Sequence, residues 1–174
     1  MKTNNQGESI DTRSRAHYHI ECHDKFGKLK WEEKMSNLVP TAGLNEILDK
    51  FWKGSGYTAS FFVGLIDGTP TVALADTMAS NAGWDEVTDY DEATRQALTL
   101  GTVAAASVDN SASKATFTID TDSTTIGGAL ICTNNTKGGT SGVLLSAAAF
   151  TGGDKSADDD DVLNVTVTIT AANP

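Results

Sequence analysis

The residues best suited to chemistry in this sequence are four zinc-ligand types that lie close together near its start. His17, His19, Cys22 and His23 form the pattern H-x-H-x-x-C-H, and zinc binds imidazole nitrogen and thiolate sulfur. The surrounding residues alternate between apolar and polar types, which predicts a β-strand. On a strand the three histidines share one face and Cys22 lies on the other, so the four side chains cannot converge on one ion. The pattern favours a solvated strand face over a metal site.

An acidic run from Asp158 to Asp161, with Asp154 shortly before it, is the second candidate. Ca²⁺ takes six to eight oxygen ligands. The run lacks the D-x-[DN]-x-[DN]-G spacing that folds a loop around the ion. We therefore expect a solvated turn whose charges keep the neighbouring strand from pairing with another chain.

Nucleophilic catalysis and phosphate binding find little support in the sequence. The glycine-rich stretches at 54–56 and 138–142 have no P-loop lysine after them, so both are predicted to be turns. All three histidines fall between positions 17 and 23, and no motif places a nucleophile beside them. The sequence predicts a protein that is not an enzyme and has no cofactor.

Length and charge narrow the class of protein further. The chain has 174 residues and a formal net charge of -10, which fits one domain and argues against binding nucleic acid by neutralising phosphates. A continuous apolar run of membrane-spanning length is absent from the sequence, as is the apolar core of a secretory signal. We expect no nucleic-acid partner and no membrane partner.

The charge is distributed unevenly along the chain. Residues 1–56 hold nine Lys and Arg against eight Asp and Glu, whereas residues 57–174 hold four against fifteen. One interpretation is that the N-terminal part meets a partner while the acidic remainder faces solvent. The alternative is that the acidity only keeps the protein soluble.

The two cysteines, Cys22 and Cys132, lie far apart in the sequence and among apolar neighbours. A disulfide between them is one alternative. Two reduced, buried thiols are favoured for a chain made in the cytoplasm.

The elements that position these residues begin with a polar stretch, residues 1–16, predicted to be an extended, flexible N-terminal arm. Residues 17–36 predict a β-hairpin whose loop, DKFGK, has Gly27 placed to take a positive φ. Residues 41–53 predict one amphipathic helix with Thr41 as its N-cap and Gly54 just after its end. The apolar residues of this helix recur at helical spacing, so we expect them to cover one side of the core.

The remainder of the chain is predicted to be mainly strands. Residues 60–66 are apolar on both faces, which is typical of a central strand, and residues 81–101 predict a long loop pinned by Arg95 and a carboxylate. The later predicted strands, separated by turn-rich segments, are LTLGTVAAAS, KATFTID, TTIGGALICT, GVLLSAAAF and VLNVTVTIT.

The predicted fold class is mainly β: an antiparallel β-sandwich, jelly-roll or Ig-like, with one amphipathic α-helix packed against it. A single domain would span residues 17–174. The predicted core residues are Trp31, Leu44, Ile47, Leu48, Phe51, Trp52, Phe61, Val63, Trp84 and Arg95.

Three stretches within residues 17–172 together carry a family resemblance. They are the hairpin and helix (ECHDKFGKLKWEEKMSNLV, GLNEILDKFW), the middle block (FFVGLIDGTPTVALADTMASNAGWDEVTDYDEATRQALTLG) and the C-terminal strands (TIGGALICT to VLNVTVTIT). The chain resembles small bacteriophage virion structural proteins, and the middle block is its most specific part. The histidine-rich hairpin departs from that pattern.

The resemblance implies a structural virion component, and within that class a capsid cement (decoration) protein. Such a protein would be made in the bacterial host cytoplasm and would sit on the outer capsid surface as a homotrimer, bracing the lattice of the major capsid protein. The residues expected to contact the partner lie on the arm and hairpin: Arg13, Arg15, His17, His19, Lys25, Phe26 and Lys28.

The alternative within the same resemblance is a tail-fibre, head-fibre or collar component that contacts a host receptor or the head–tail junction. A receptor-binding module would need aromatic side chains exposed on loops. Trp84 with Tyr90 is the candidate cluster, and we expect both to be buried because small residues precede Trp84.

Overall fold

Two long antiparallel strands form the centre of the fold. The computed structural model describes residues 13–172, with the side chains of residues 15–171. Strand β1 (Arg13–His23) pairs along its whole length with β11 (Val162–Ala172). Residues 13–16, predicted as part of the arm, therefore belong to β1, because β11 continues to Ala172 and supplies backbone partners for them. The remaining arm residues, 1–12, lie outside the described part of the chain.

The first sheet is built on this pair. Its order is β2-β1-β11-β5, and β6 also pairs with β11. The hairpin prediction is confirmed: β1 turns into β2 through a loop in which Gly27 has a φ of 80°. The additional strands of this sheet are β2 (Leu29–Ser36), β5 (Ser107–Asp109) and β6 (Ala115–Thr118).

The second sheet has the order β4-β3-β8-β9, and a separate two-stranded sheet pairs β10 with β7; every pairing is antiparallel. Two predicted strands differ from the structure. TTIGGALICT is divided between β7 and β8, which belong to different sheets. LTLGTVAAAS is irregular up to Ser107, since Ala105 and Ala106 have positive φ values that a strand does not accommodate. The strands are β3 (Phe62–Ile66), β4 (Gln96–Ala97), β7 (Thr124–Ile126), β8 (Gly128–Cys132), β9 (Leu144–Ala149) and β10 (Lys155–Ala157).

The main core lies between the two larger sheets. The hydroxyl of Tyr18 on β1 is 2.6 Å from Ser146 Oγ on β9, which ties the sheets together across the core. The predicted β-sandwich with one helix is confirmed. Side chains of this core include Tyr18, Ile20, Val63, Leu65, Phe117, Ile131, Leu163 and Val165.

The outer face of the second sheet is covered by the loop that follows β3. Met78 and Trp84 from this loop are buried against Ile66 and Leu130, and Val72 packs beside them. Trp84 is thus a core residue, as predicted, and β3 is covered on both faces, as its sequence indicated.

The α-helix is shorter than predicted and contacts the second sheet through a glycine. Helix α1 (Thr41–Ile47) continues as a π-helical turn (Leu48–Trp52). Its N-cap is Pro40 and not Thr41, and no side chain caps it. A Cβ on Gly43 would lie 2.6 Å from the carbonyl oxygen of Leu145, so the helix touches β9 through its glycine.

The prediction that the apolar helix residues belong to the core is wrong. Gly43 is the buried residue of this helix, whereas the apolar side chains are exposed, and the loop that carries Trp84 already covers the outer face of the sheet. We call these five side chains the helix face. Their exposed fractions are Leu44 46%, Ile47 40%, Leu48 56%, Phe51 77% and Trp52 74%.

Candidate interaction surfaces

Arg95 forms a buried ion pair that fixes the loops at one end of the second sheet. Its Nε lies 2.7 Å from Glu86 Oε1 and its Nη2 lies 2.6 Å from Glu86 Oε2. The same guanidinium donates to the carbonyl oxygens of Asn134 and Gly139. Burial by itself would lower the pKa of Arg95, but the hydrogen bonds to Glu86 and the charge interactions with nearby groups together outweigh it, so the pKa is raised. The predicted pairing of Arg95 with a carboxylate is confirmed, and its role is structural.

The Trp84 and Tyr90 cluster is not available for ligand contact. Both side chains are buried, as predicted. The Tyr90 ring packs edge-on against Phe117 with centroids 5.0 Å apart. Lys137 donates a hydrogen bond to the carbonyl oxygen of Tyr90, and its Nζ lies 4.2 Å from the Tyr90 ring centroid.

The histidine-rich strand does not assemble a metal site. His17 Nδ1 is 3.0 Å from Ser36 Oγ and His19 Nε2 is 2.7 Å from Glu32 Oε2. Cys22 faces the core on the opposite side, and burial raises its pKa to about 12. The residues therefore keep to separate faces, as the alternation predicted.

Both cysteines are free and buried, so the prediction of two separate thiols is confirmed. The pKa of each thiol is raised, chiefly by burial. Both are therefore neutral near pH 7, where a thiolate would be needed for nucleophilic attack.

The acidic run is only partly a solvated turn. Asp161 is buried, and its carboxylate accepts hydrogen bonds from Lys30 Nζ and from the backbone N–H of Asp158. Lys30 also bonds Asp158 Oδ2 at 2.9 Å and holds the pKa of that carboxyl below its usual value. The expectation of a wholly solvated turn is wrong, because Lys30 binds part of the run against β2 beside the hairpin turn.

The loop between β1 and β2, which we call the hairpin tip (Asp24–Lys28), is locked by its own hydrogen bonds. Asp24 Oδ1 accepts from the backbone N–H groups of Phe26 and Lys28, both at 2.9 Å. The Gly27 N–H donates to the Asp24 carbonyl oxygen at 2.8 Å. These bonds lower the pKa of Asp24. The tip is therefore a pre-formed structure.

The hairpin tip presents an aromatic ring between two cationic side chains. Phe26 is 86% exposed. Lys25 Nζ lies 5.9 Å from the Phe26 ring centroid, and Lys28 is exposed on the far side of Gly27. A cleft of about 650 Å³ adjoins the tip, lined also by His23, Asp160, Val162 and Asn164. This arrangement suits insertion of an aromatic anchor into a partner.

The seven predicted partner residues do not form one surface. Lys25, Phe26 and Lys28 lie at the hairpin tip. Arg15 and His17 are exposed near the opposite end of β1, which at about 3.3 Å per residue is roughly 30 Å away from Lys25. His19 lies between them and pairs with Glu32. Of Arg13 only the backbone position, opposite Ala172, is described.

The helix face is the second exposed surface, and sequence reasoning assigned it to the core. Phe51 and Trp52 contact each other edge-on with ring centroids 5.4 Å apart. Asp49 accepts hydrogen bonds from Lys53 Nζ at 3.1 Å and Ser55 Oγ at 2.9 Å, so it is paired within the segment. The sequence signal that could have revealed the exposure is Gly43, a helical glycine that marks the docking side.

No described helix combines the length and apolar character needed to cross a membrane. Comparison of the chain with protein-family models, with curated proteins and with solved structures gave no match.

Proposed function

We propose that this protein is a non-enzymatic structural component of a bacteriophage virion, a capsid cement protein that binds the major capsid protein through its hairpin tip. The observation that carries this proposal is the exposed Phe26 on a hydrogen-bonded loop. The virion class comes from the family resemblance of residues 17–172.

The hairpin tip has the properties of an interface anchor. A few anchor residues, many of them aromatic, carry most of the binding energy of an interface when they fill a pocket of the partner. The hydrogen bonds of Asp24 fix the loop before binding, so little conformational entropy is lost when Phe26 is immobilised. A pre-formed tip on a hairpin that Lys30 holds against the acidic run suits a protein that braces a lattice.

The charges at the tip define the kind of pocket it fits. Lys25 and Lys28 flank Phe26, whereas residues 57–174 carry fifteen acidic against four basic side chains. Opposite charge across an interface fixes orientation and speeds association. The complementary site on the capsid would be an apolar pocket with an acidic rim, and the acidic part of the chain would face solvent on the outer capsid surface.

The direct test is binding of the purified protein to capsids that lack it. Phe26→Ala should weaken binding about 30-fold, because truncating an interface anchor costs about 2 kcal/mol or more. Val103→Ala is the matched control, since Val103 is also an exposed apolar residue on a loop. Equal affinity of the Phe26→Ala variant and wild-type protein would exclude the tip as the capsid contact.

Copy number per virion tests the assignment to the capsid lattice. A cement protein is present in numbers that match the capsomer junctions. Five, six or twelve copies would instead place the protein at a vertex, collar or tail, and would contradict the cement assignment.

A further inference from the structure

We propose that the helix face is covered by the same face of another copy of this chain, so that the protein is a homo-oligomer held together by its helices. The helix face comprises Leu44, Ile47, Leu48, Phe51 and Trp52. This proposal does not depend on what the hairpin tip binds.

The exposed apolar area is close to what such an interface requires. Phe51 and Trp52 are about three-quarters exposed, and aromatic side chains of about 150–250 Å² each give roughly 300 Å². The three aliphatic residues, each about half exposed, add roughly 150 Å². A standard interface buries about 800 Å² on each partner. About 65% of a homodimer interface is apolar, so each partner needs roughly 500 Å² of apolar area. The helix face supplies nearly all of it.

Charge favours a second copy as the occupant. The chain carries a net charge of -10, yet residues 41–57 hold two acidic and two basic side chains, Glu46, Asp49, Lys50 and Lys53, and are neutral. A large net charge of one sign opposes self-association, so a neutral patch is where two copies repel each other least. A symmetric contact sets a patch against its own copy, and a neutral apolar patch is complementary to itself.

The π-helical turn shapes this surface. Such turns are rare and often occur at functional sites. Here the turn Leu48–Trp52 presents Phe51 and Trp52 side by side as an edge-on pair. Aromatic pairs exposed to this degree are typical of the centre of an interface, where charged residues are scarce.

The helix face and the hairpin tip do not compete for space. The tip precedes β2 and the helix follows it, and the eight residues of β2 span roughly 26 Å. An oligomer joined by its helices would therefore carry several free tips. If the proposed capsid function is correct, these tips would bind the lattice together, with a gain in avidity that a monomer lacks.

The mass of the full chain in solution tests the proposal. We expect wild-type protein to elute with a light-scattering mass of at least twice the 18.3 kDa of one chain. The double variant Phe51→Ser/Trp52→Ser should dissociate at least tenfold more readily, while Val103→Ser, a matched change at another exposed apolar residue, should not. The proposal would be overturned if wild-type protein stayed monomeric when its concentration was raised 100-fold over the range of the experiment. It would also be overturned if the double variant were as oligomeric as wild type.

A cross-linking experiment identifies the face itself. Leu48→Cys lies at the centre of the helix face, and the native thiols are buried, so mild oxidation should yield a covalent dimer in Leu48→Cys and none in Val103→Cys. An oligomer without cross-linking at position 48 would show that another surface mediates assembly and would overturn the proposal. Loss of capsid binding in Phe26→Ala with an unchanged mass would separate the two functions.

Discussion

The helix face and the Arg95 site show the reverse of the burial that their residue types predict. Arg95 is 1% exposed, whereas Trp52 is 74% exposed. The guanidinium has Glu86 and two backbone carbonyl oxygens as partners, and a buried charge is tolerated when its hydrogen bonds are satisfied. The helix face has no comparable partner within residues 15–171.

The comparison shows that burial in this protein follows from the available partners and space. Arg95 can be buried because Glu86 and two backbone carbonyl oxygens accept hydrogen bonds from its guanidinium. Trp52 is exposed because the nearest sheet surface is already occupied by the loop that carries Trp84. The helix face is thus left uncovered by residues 15–171, which is why we propose a second copy of the chain as its partner.

The largest effect is expected from breaking the Arg95 site. Arg95→Ala should lower the free energy of unfolding by about 3–5 kcal/mol, because it leaves the Glu86 carboxylate buried without its partner. The measurement is urea unfolding followed by fluorescence. Lys114→Ala, which removes the more exposed pair with Glu21, is the control and should cost about 0–1 kcal/mol. Equal losses of unfolding free energy in the two variants would contradict the expected difference between the buried and the more exposed ion pair.

A smaller loss is expected where the helix meets the sandwich. Gly43→Val places a side chain against the backbone of Leu145, and overpacking of this kind costs about 1–3 kcal/mol. Hydrogen exchange should show the helix amides losing protection while those of β3 keep theirs. Gly56→Val is the control, because a Cβ at Gly56 meets nothing within 4 Å. Unchanged helix protection in Gly43→Val would contradict the glycine contact.

Acid should weaken the ion pair that holds the acidic run against β2 beside the hairpin turn. Lys30 lowers the pKa of Asp158 from 3.8, so the stabilisation from this pair is present above that value and is lost as the pH falls through the lower folded pKa. Lys30→Met should therefore flatten the acid limb of the stability–pH curve. Lys34→Met, on the same strand, should change it less, because the pair of Lys34 with Glu32 is longer, at 3.6 Å, and exposed. If the stability of Lys30→Met fell with acid as steeply as that of wild type, the acid sensitivity would come from other groups.

The smallest effect is expected from the helix face itself. In protein dilute enough to be monomeric, Phe51→Ala should change the free energy of unfolding by no more than about 0.5 kcal/mol, as for other exposed positions. Phe117→Ala, the buried counterpart, should cost about 3–5 kcal/mol. A large loss in monomeric Phe51→Ala would show that the helix face packs against its own domain.

Local patterns predicted much of the fold. The alternation around Tyr18, the apolar run through Val63 and the turn at Gly27 each specify an element without reference to distant residues. The antiparallel sandwich follows, because several such strands with polar turns between them need two packed sheets. Arg95 could be paired with a carboxylate because acidic residues cluster beside it in the sequence.

The candidate surfaces were predicted less well. The tip residues Lys25, Phe26 and Lys28 were named, but they were grouped with Arg15 and His17, which lie roughly 30 Å away along β1. Spacing along a strand gives the face of each residue and leaves open which end meets a partner. The helix face was missed because periodicity identifies an apolar side and does not identify what covers it.

The sequence by itself determined most of the strands, the hairpin and the presence of the helix, since these depend on residues close together in the chain. Only the tertiary structure decided which side of the helix docks. That choice depends on Gly43 meeting the backbone of Leu145, and on a loop reaching the outer sheet face first. Contacts between residues so distant in sequence leave no periodic signal, so the exposure of Trp52 follows from packing alone.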